Sequence, residues 1–339
     1  MANEKVTSLD VAKRAGVSQS AVSRVFTPGG SASKKTIEKV KKAAEELGYR
    51  PNVLARAMVS GKSRIIGLVV AYLNNQFYPD ALEKLSNQLQ EQGYHVLVFM
   101  THNTEGVIDE VIDEILDYQV DGIIAASVDL SSELADRCRS VGVPIVLFNR
   151  SQQGGEFSSV TSDNFNGGMT AAQFLIAGGH TKISYIAGQE CTSTQRDREI
   201  GFRAGLQEAG LDLHSRENGM FDMSKASEAT RRMFKKDPPD AVFVANDHMA
   251  LAVMDTLRFE LGLKVPEDVS VVGYDDVPAS AWPSYGLTTL AQRADIMVSE
   301  TVRILMQQIS HENDSPQKVA IGSPIVVRTS ARIPKGWKL

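Results

Sequence analysis

The chain has 339 residues, 42% of them apolar and 23% charged, and a formal net charge of −5. That length exceeds what one small core organises and predicts two or three domains, and so ordinary a composition excludes a disordered, collagen-like or disulfide-stapled chain. No apolar run is long enough to span a bilayer, the first residues (MANEKVTSLD) lack the apolar stretch of a secretion signal, and the two cysteines, Cys138 and Cys191, have no metal-binding spacing, so no membrane contact and a cytoplasmic, nucleoid-associated location are expected.

The first sixty residues carry the densest signals. Thr7 with Asp10 predicts a capping box opening a helix. Gly16 ends that helix and Ser18 caps a second, with Ala15-Gly16-Val17 as the glycine-containing connection of a helix-turn-helix. A third helix is expected from Ser33 to Gly48, with Pro51 blocking its continuation, and a short small-residue helix then runs to about Met58. Val11, Ala15, Val22, Val25, Ile37, Val40, Ala44 and Leu47 recur at helical spacing and predict one small core. Residues 1–64 hold 13 Lys and Arg against 5 Asp and Glu, a net +8, whereas the remainder carries −13. A basic head on an acidic body is the electrostatic footprint of a nucleic-acid-binding module.

From residue 64 apolar, β-branched runs alternate with helical segments. Strands are predicted at 65–71, 96–101, 122–126, 145–148, 183–187, 241–245 and 269–273. Amphipathic helices are predicted at 80–92, 107–117, 168–177, 198–208, 227–236 and 248–261. This alternation argues for parallel sheets joined by right-handed crossovers, and near-continuous apolar strands such as IIGLVVA argue that both faces of a sheet are covered. About 275 residues are more than one doubly wound sheet needs, so two lobes with a cleft between them are expected.

The stretches LDVAKRAGVSQSAVSRV, SKKTIEKVKKAAEELGYRPN and LARAMVSGKS together resemble the headpiece of the lactose/galactose repressor (LacI/GalR) family. The resemblance continues through VPIVLFNR, SDNFNGG, HTKISYIAG, PDAVFVANDHMAL, VPEDVSVVGYDD and LTTLAQ, all in order. It implies a small all-α helix-turn-helix headpiece (1–50), a hinge helix and linker (51–63), and an α/β two-lobed effector-binding and dimerisation domain (64–339). That domain would resemble the periplasmic sugar-binding proteins, with parallel sheets and three crossovers. Lobe one would comprise about 64–162 plus 293–322, and lobe two about 163–292 plus 323–339. The resemblance further implies a homodimeric, sequence-specific transcriptional regulator, a repressor. Its partners would be double-stranded operator DNA and a small-molecule effector, a sugar or sugar acid, held between the lobes.

Candidate site residues follow. Gln19, Ser20 and Arg24 project from the second helix, where Gln suits adenine and Arg suits guanine edges in the major groove. Ser18, Ser23 and Lys35 suit phosphates. In the hinge, Asn52, Ala55 and Met58 are expected on the DNA, Met58 standing where relatives carry a minor-groove wedge. Ligands of open parallel sheets sit beyond the carboxyl ends of the strands. That rule selects Asn75 and Phe77 after the first strand, with Asn74 and Tyr78 beside them, and Asn149 and Arg150 after VPIVLF. It also selects Thr194 beyond YIAG and Gln292 at a lobe crossing. Arg198, Asn246 and Asp275 match family positions that bind small ligands. Either Phe221 or Met223 fills the place where relatives set an aromatic over the ligand, and Gln76 stands where the family often has Pro. Asp163 and Asp247 read as helix caps or first-turn residues, and Asp276 as a brace for the loop holding Asp275.

Enzyme signals are absent or accidental. No G-x-G-x-x-G follows a strand, Gly61-Lys62-Ser63 lacks the glycine a P-loop needs because Arg56 stands there, and His311-Glu312 has no second histidine. No nucleophile elbow supports a triad. No catalytic residue, metal or cofactor is expected. A sugar-binding protein or sugar-modifying enzyme with the same body is the rival reading, opposed by the basic head and the missing catalytic constellation. Within the regulator class, a partner phosphoprotein acting on the first lobe is the alternative controller.

Overall fold

The computed structural model describes residues 6–26, 30–50, 62–71, 73–101, 107–128, 130, 132–152 and 157–337. The chain divides into a first unit of Met1–Arg64 with Gln119–Asp121 and a second of Ile65–Tyr118 with Gly122–Leu339.

Among its described residues the first unit holds three helices, α1 (Ser8–Ala15), α2 (Gln19–Phe26) and α3 (Lys34–Leu47). Each begins where its cap predicts. The Asp10 carboxylate accepts from the Thr7 backbone N–H at 2.9 Å and from its hydroxyl at 2.7 Å, Ser18 Oγ accepts from Ala21 N at 3.2 Å, and Ser33 Oγ accepts from Thr36 N at 3.2 Å. Gly16 closes α1 with φ 66°, a left-handed conformation that costs glycine nothing. Val11, Ala12, Val22, Val40, Ala43 and Ala44 form the core, with Ala15, Val17, Val25, Phe26, Leu47 and Tyr49 packed against it. Ile37, expected inside, is only half-buried, and the small Ala12 and Ala43 take interior places at the helix crossings. The predicted hinge positions Asn52, Ala55 and Met58 lie outside the described residues.

The second unit contains two six-stranded sheets. The first contains β1 (Ile65–Val70), β2 (His95–Met100), β3 (Gly122–Ala126), β4 (Ile145–Phe148), β5 (Ser158–Ser162) and β11 (Lys318–Ile321), in the order β11-β5-β4-β3-β1-β2, all parallel. The second contains β6 (Ile183–Ala187), β7 (Arg216–Asn218), β8 (Ala241–Val244), β9 (Ser270–Asp275), β10 (Thr288–Ala291) and β12 (Ile325–Val326), in the order β12-β10-β9-β8-β6-β7. It is parallel except for the edge pair β10–β12. The helices between strands are α4 (Phe77–Glu91), α5 (Val107–Asp117), α6 (Ser132–Ser140), α7 (Asn164–Ala177), α8 (Ser193–Glu208), α9 (Met223–Met233), α10 (Asp247–Asp255) and α11 (Ala294–Ile309). The chain passes between the sheets at 163, at 292–293 and at 322–324.

Every residue of β1 is buried, as a strand covered on both faces requires, whereas the edge strand β2 is partly exposed. Apolar-run reading misses β5, because its sequence SSVTS is polar. The strand is buried nonetheless, and Ser158 Oγ accepts from Gln308 Nε2 at 3.0 Å and from Gln317 N at 3.1 Å. Helices α7 and α8 touch backbone to backbone, since a Cβ on Gly201 would fall 1.9 Å from the Phe165 carbonyl oxygen. That close approach sets the first turns of α8, which carry Thr194 and Arg198. Among the described residues no helix is long and apolar enough to cross a membrane, and no group of His, Cys, Asp and Glu could hold a metal ion.

Candidate functional site

On the first unit, α2 presents Gln19, Ser20, Ser23 and Arg24 to solvent, as the capping position presents Ser18 and α3 presents Lys35. The helix buries only Val22 fully. Gln19 Nε2 donates to Ser8 Oγ at 2.9 Å, Ser18 and Ser20 share a hydroxyl contact of 2.9 Å, and Arg24 Nε leans on the Ser20 carbonyl at 3.3 Å. These are short surface contacts that a base or phosphate can replace.

In the second unit, residues from the carboxyl ends of both sheets converge on a cavity of about 20 Å³, the space of one water. Each sheet reverses its strand order there, between β1 and β3 and between β6 and β8, which is where crevices open in doubly wound folds. The first sheet contributes Asn74, Asn75, Tyr78, Ser127, Asn149 and Arg150, and the second contributes Thr194, Arg198, Phe221, Asn246 and Asp275. Ser127, Asn149 and Asp275 have φ of 62°, 57° and 130°, so the chain bends sharply at three strand ends to bring their side chains together.

The walls bond one another across the cleft. Asn75 Nδ2 donates to Asp275 Oδ2 at 3.1 Å, and Arg150 Nη1 donates to Thr194 Oγ1 at 2.9 Å. Ser151 N donates to Ser193 Oγ at 3.0 Å. Gln76, in the place of the family's proline, accepts from Ala279 N at 3.3 Å and ties the rim of one lobe to the other.

Several sequence expectations change in the folded chain. Phe77 does not reach the cavity. Its ring is buried and stacks on Phe148 at 6.1 Å, because Asn75 Oδ1 accepts from Phe77 N and starts α4 there, turning Tyr78 to the cavity instead. Gln292 stands behind the site, donating to Asp275 Oδ1 at 2.6 Å and accepting from Ser162 Oγ at 2.8 Å. Arg198 lines the cavity and is also a structural post: Nε donates to Asn164 Oδ1 at 2.8 Å, Nη1 donates to the Ala245 carbonyl, the guanidinium lies 3.6 Å over the Tyr274 ring, and Nη2 is 3.6 Å from Asp275 Oδ1. Asn246 lines the cavity yet also caps α10, its Oδ1 accepting from Met249 N at 3.0 Å. Asp247 takes the other of its two expected places, in the first turn of α10. Its carboxyl turns inward to Thr289 Oγ1 at 2.6 Å, Ser280 Oγ at 2.7 Å and Val277 N at 3.1 Å, and burial pushes it up to about 7. Burial likewise raises the Asp275 carboxyl against the pull of Arg198. Asp163 caps α7 through Asn166 N at 3.1 Å, and Asp276 accepts from Arg328 at 2.6 Å. Phe221 lines the cavity and Met223 is on the surface. Ser127 was missed, although it directly follows a predicted strand and the strand-end rule selects it.

Comparison with known proteins covers both units. Residues 7–52 match the family model for bacterial regulatory proteins of the lacI family, and residues 172–331 match a periplasmic binding protein-like domain. The HTH-type transcriptional repressor PurR of Aliivibrio salmonicida (strain LFI1238) is 32% identical over 331 residues, 96% of this chain and 98% of that protein. The lac repressor dimer solved with operator and the anti-inducer ONPF is 28% identical, with a TM-score of 0.87 over 96% of this chain and 99% of that one. The transcriptional regulator CelR in complex with cellobiose is 32% identical, with a TM-score of 0.73 over 96% of this chain and 100% of that one.

Proposed function

The chain belongs to the lacI family of bacterial transcriptional regulators, and from that premise we propose that it represses transcription as a homodimer under the control of a sugar-class effector bound between its lobes. In this reading two copies of α2 enter successive major grooves of a roughly palindromic operator in the cytoplasm, with Gln19, Ser20 and Arg24 reading bases and Ser18, Ser23 and Lys35 meeting phosphates. Two heads on one duplex add their affinities through effective concentration. The protein acts by binding, with no catalytic step.

One observation carries the effector reading: polar side chains from the strand ends of both lobes converge on one partly open cavity that the aromatic ring of Phe221 also lines. Asn75, Asn149, Arg150, Thr194, Arg198, Asn246 and Asp275 supply the mixture of donors and acceptors that vicinal hydroxyls need, and a ring supplies a face for C–H groups. CelR, solved with cellobiose, supports the same class. The cavity is too small for a sugar as it stands, so binding requires the lobes to part and the Asn75–Asp275 and Arg150–Thr194 bonds to be exchanged for bonds to ligand. An effector that favours one lobe arrangement by about 1–3 kcal/mol changes operator affinity usefully.

The test is a gel shift with DNA upstream of the protein's own gene, at a stated salt concentration, with and without a panel of sugars. The expected result is a sequence-specific complex whose midpoint moves with one sugar class. Binding that ignores DNA sequence and disappears with modest salt would overturn the operator reading. A specific complex indifferent to every sugar, sugar acid and sugar phosphate would overturn the effector reading.

A further inference from the structure

The two arginines at the cavity are not equivalent. Arg198 has a carboxylate within 3.6 Å, two neutral oxygens and an aromatic face. Arg150 is 2% exposed, and its partners are neutral: the Asn149 carbonyl at 3.0 Å, Thr194 Oγ1 at 2.9 Å and Ser127 Oγ at 2.9 Å. Its Nε has no partner among the described residues, and the same holds for Asn149 Oδ1 beside it. Among the described residues the charged side chains lining the cavity are Arg150, Arg198 and Asp275, an excess of one positive charge. A guanidinium cannot shed its proton to escape burial, and an unpaired buried charge is costly. Thr194, to which Arg150 donates, lies in the first turn of the sixteen-residue α8, whose N-terminal end adds further positive potential.

The geometry points to an anionic effector whose carboxylate or phosphate sits on the Nε edge of Arg150. This rests on the cleft being the effector site and adds the charge of its occupant. The neighbouring Asn149 Oδ1 is an acceptor without a donor, so the ligand must also bring a hydroxyl close to its acid group. A hydroxy acid of the sugar series or a sugar phosphate has both, and a neutral sugar has only the hydroxyl. Guanidinium and oxyanion form charge-assisted hydrogen bonds, stronger than those a sugar hydroxyl offers.

The experiment is calorimetric titration of the full-length protein with D-gluconate, D-galacturonate and D-glucose 6-phosphate, set against neutral D-glucose and D-galactose. At least one anion should bind about tenfold or more tightly than its neutral parent, because charge-assisted hydrogen bonds are roughly twice as strong as neutral ones. Which anion binds separates carboxylate from phosphate. Arg150→Gln should reduce that anion to the affinity of its parent. If the variant does not fold, the wild-type comparison of each anion with its parent decides alone. A neutral parent that binds as tightly as every anion overturns the inference and leaves the sugar-class reading standing. No heat from any of the five ligands overturns both.

Discussion

Helix α2 and the cleft are both polar surfaces, built on opposite terms. The side chains of α2 that face outward rest on a headpiece whose fully buried core is six small side chains, and their contacts within the chain are weak ones such as Arg24 to a carbonyl at 3.3 Å. Those of the cleft are buried and spend their hydrogen bonds on one another, as Asp275 does on Asn75, Gln292 and Arg198. A large polyanion arrives with its own groove and needs donors that protrude into it. A small molecule is enclosed on binding, so the residues lining the cleft bond largely to one another, with Arg150 Nε and Asn149 Oδ1 left without a partner among the described residues. Mutations on α2 should therefore change DNA recognition and spare stability, whereas mutations in the cleft should change both.

The strongest challenge to that contrast is Arg198→Ala. It leaves Asp275 buried without its cation and strips the face of Tyr274, so urea denaturation should show a loss of about 3–5 kcal/mol from the effector domain. An unchanged midpoint would mean that the guanidinium is held for ligand alone. The next test is pH. Asp247, pushed up to about 7 by burial, returns to its ordinary 3.8 on unfolding. The unfolded chain thus ionises first. The stabilising contribution is complete below about pH 4 and is lost as pH rises towards 7. The stability difference between the wild type and Asp247→Asn should fall across that window by up to about 1.4 kcal/mol per pH unit, and a flat difference would refute the buried proton.

On the other side of the comparison, Gln19→Ala and Arg24→Ala should each relax operator preference at one base pair by about 1–3 kcal/mol, read by competition among operator variants, and should leave the unfolding midpoint within about 0.5 kcal/mol. An unaltered preference would remove these residues from base reading. The smallest effect is expected from Gly16→Ala. A Cβ there meets no neighbour, but φ 66° is left-handed, so the headpiece alone should lose about 1 kcal/mol. Separate melting of headpiece and effector domain would show it.

Much of this was legible in the chain. The caps Ser18 and Ser33, the Thr7–Asp10 box and the Gly16 break are relations between residues three or four apart, and they hold in the fold as read. The apolar runs marked β1, β3, β4 and β6 because those strands are covered on both faces. Strand β5 escaped because it is polar, and Ser158 is satisfied in its buried place by Gln308 and Gln317, partners that lie 150 residues and more away. Of the residues lining the cavity, the strand-end rule selected Asn75, Asn149, Arg150 and Thr194 and passed over Ser127. It misplaced Phe77 because which of two adjacent aromatics turns inward depends on where α4 begins, and Asn75 sets that start through its own side chain.

By itself the sequence determined what local chemistry and composition determine: three capped helices on a basic head, two parallel α/β lobes on an acidic body, and a set of polar residues placed at strand ends. Tertiary structure alone decided which of those residues meet. Asn75 and Asp275 are 200 positions apart and bond at 3.1 Å. Arg150 and Arg198 both line the cavity but differ because Arg150 lies among neutral oxygens and Arg198 beside a carboxylate and an aromatic face. Charge balance and burial are properties of the enclosing walls, and those walls come from both lobes through three crossings of the chain.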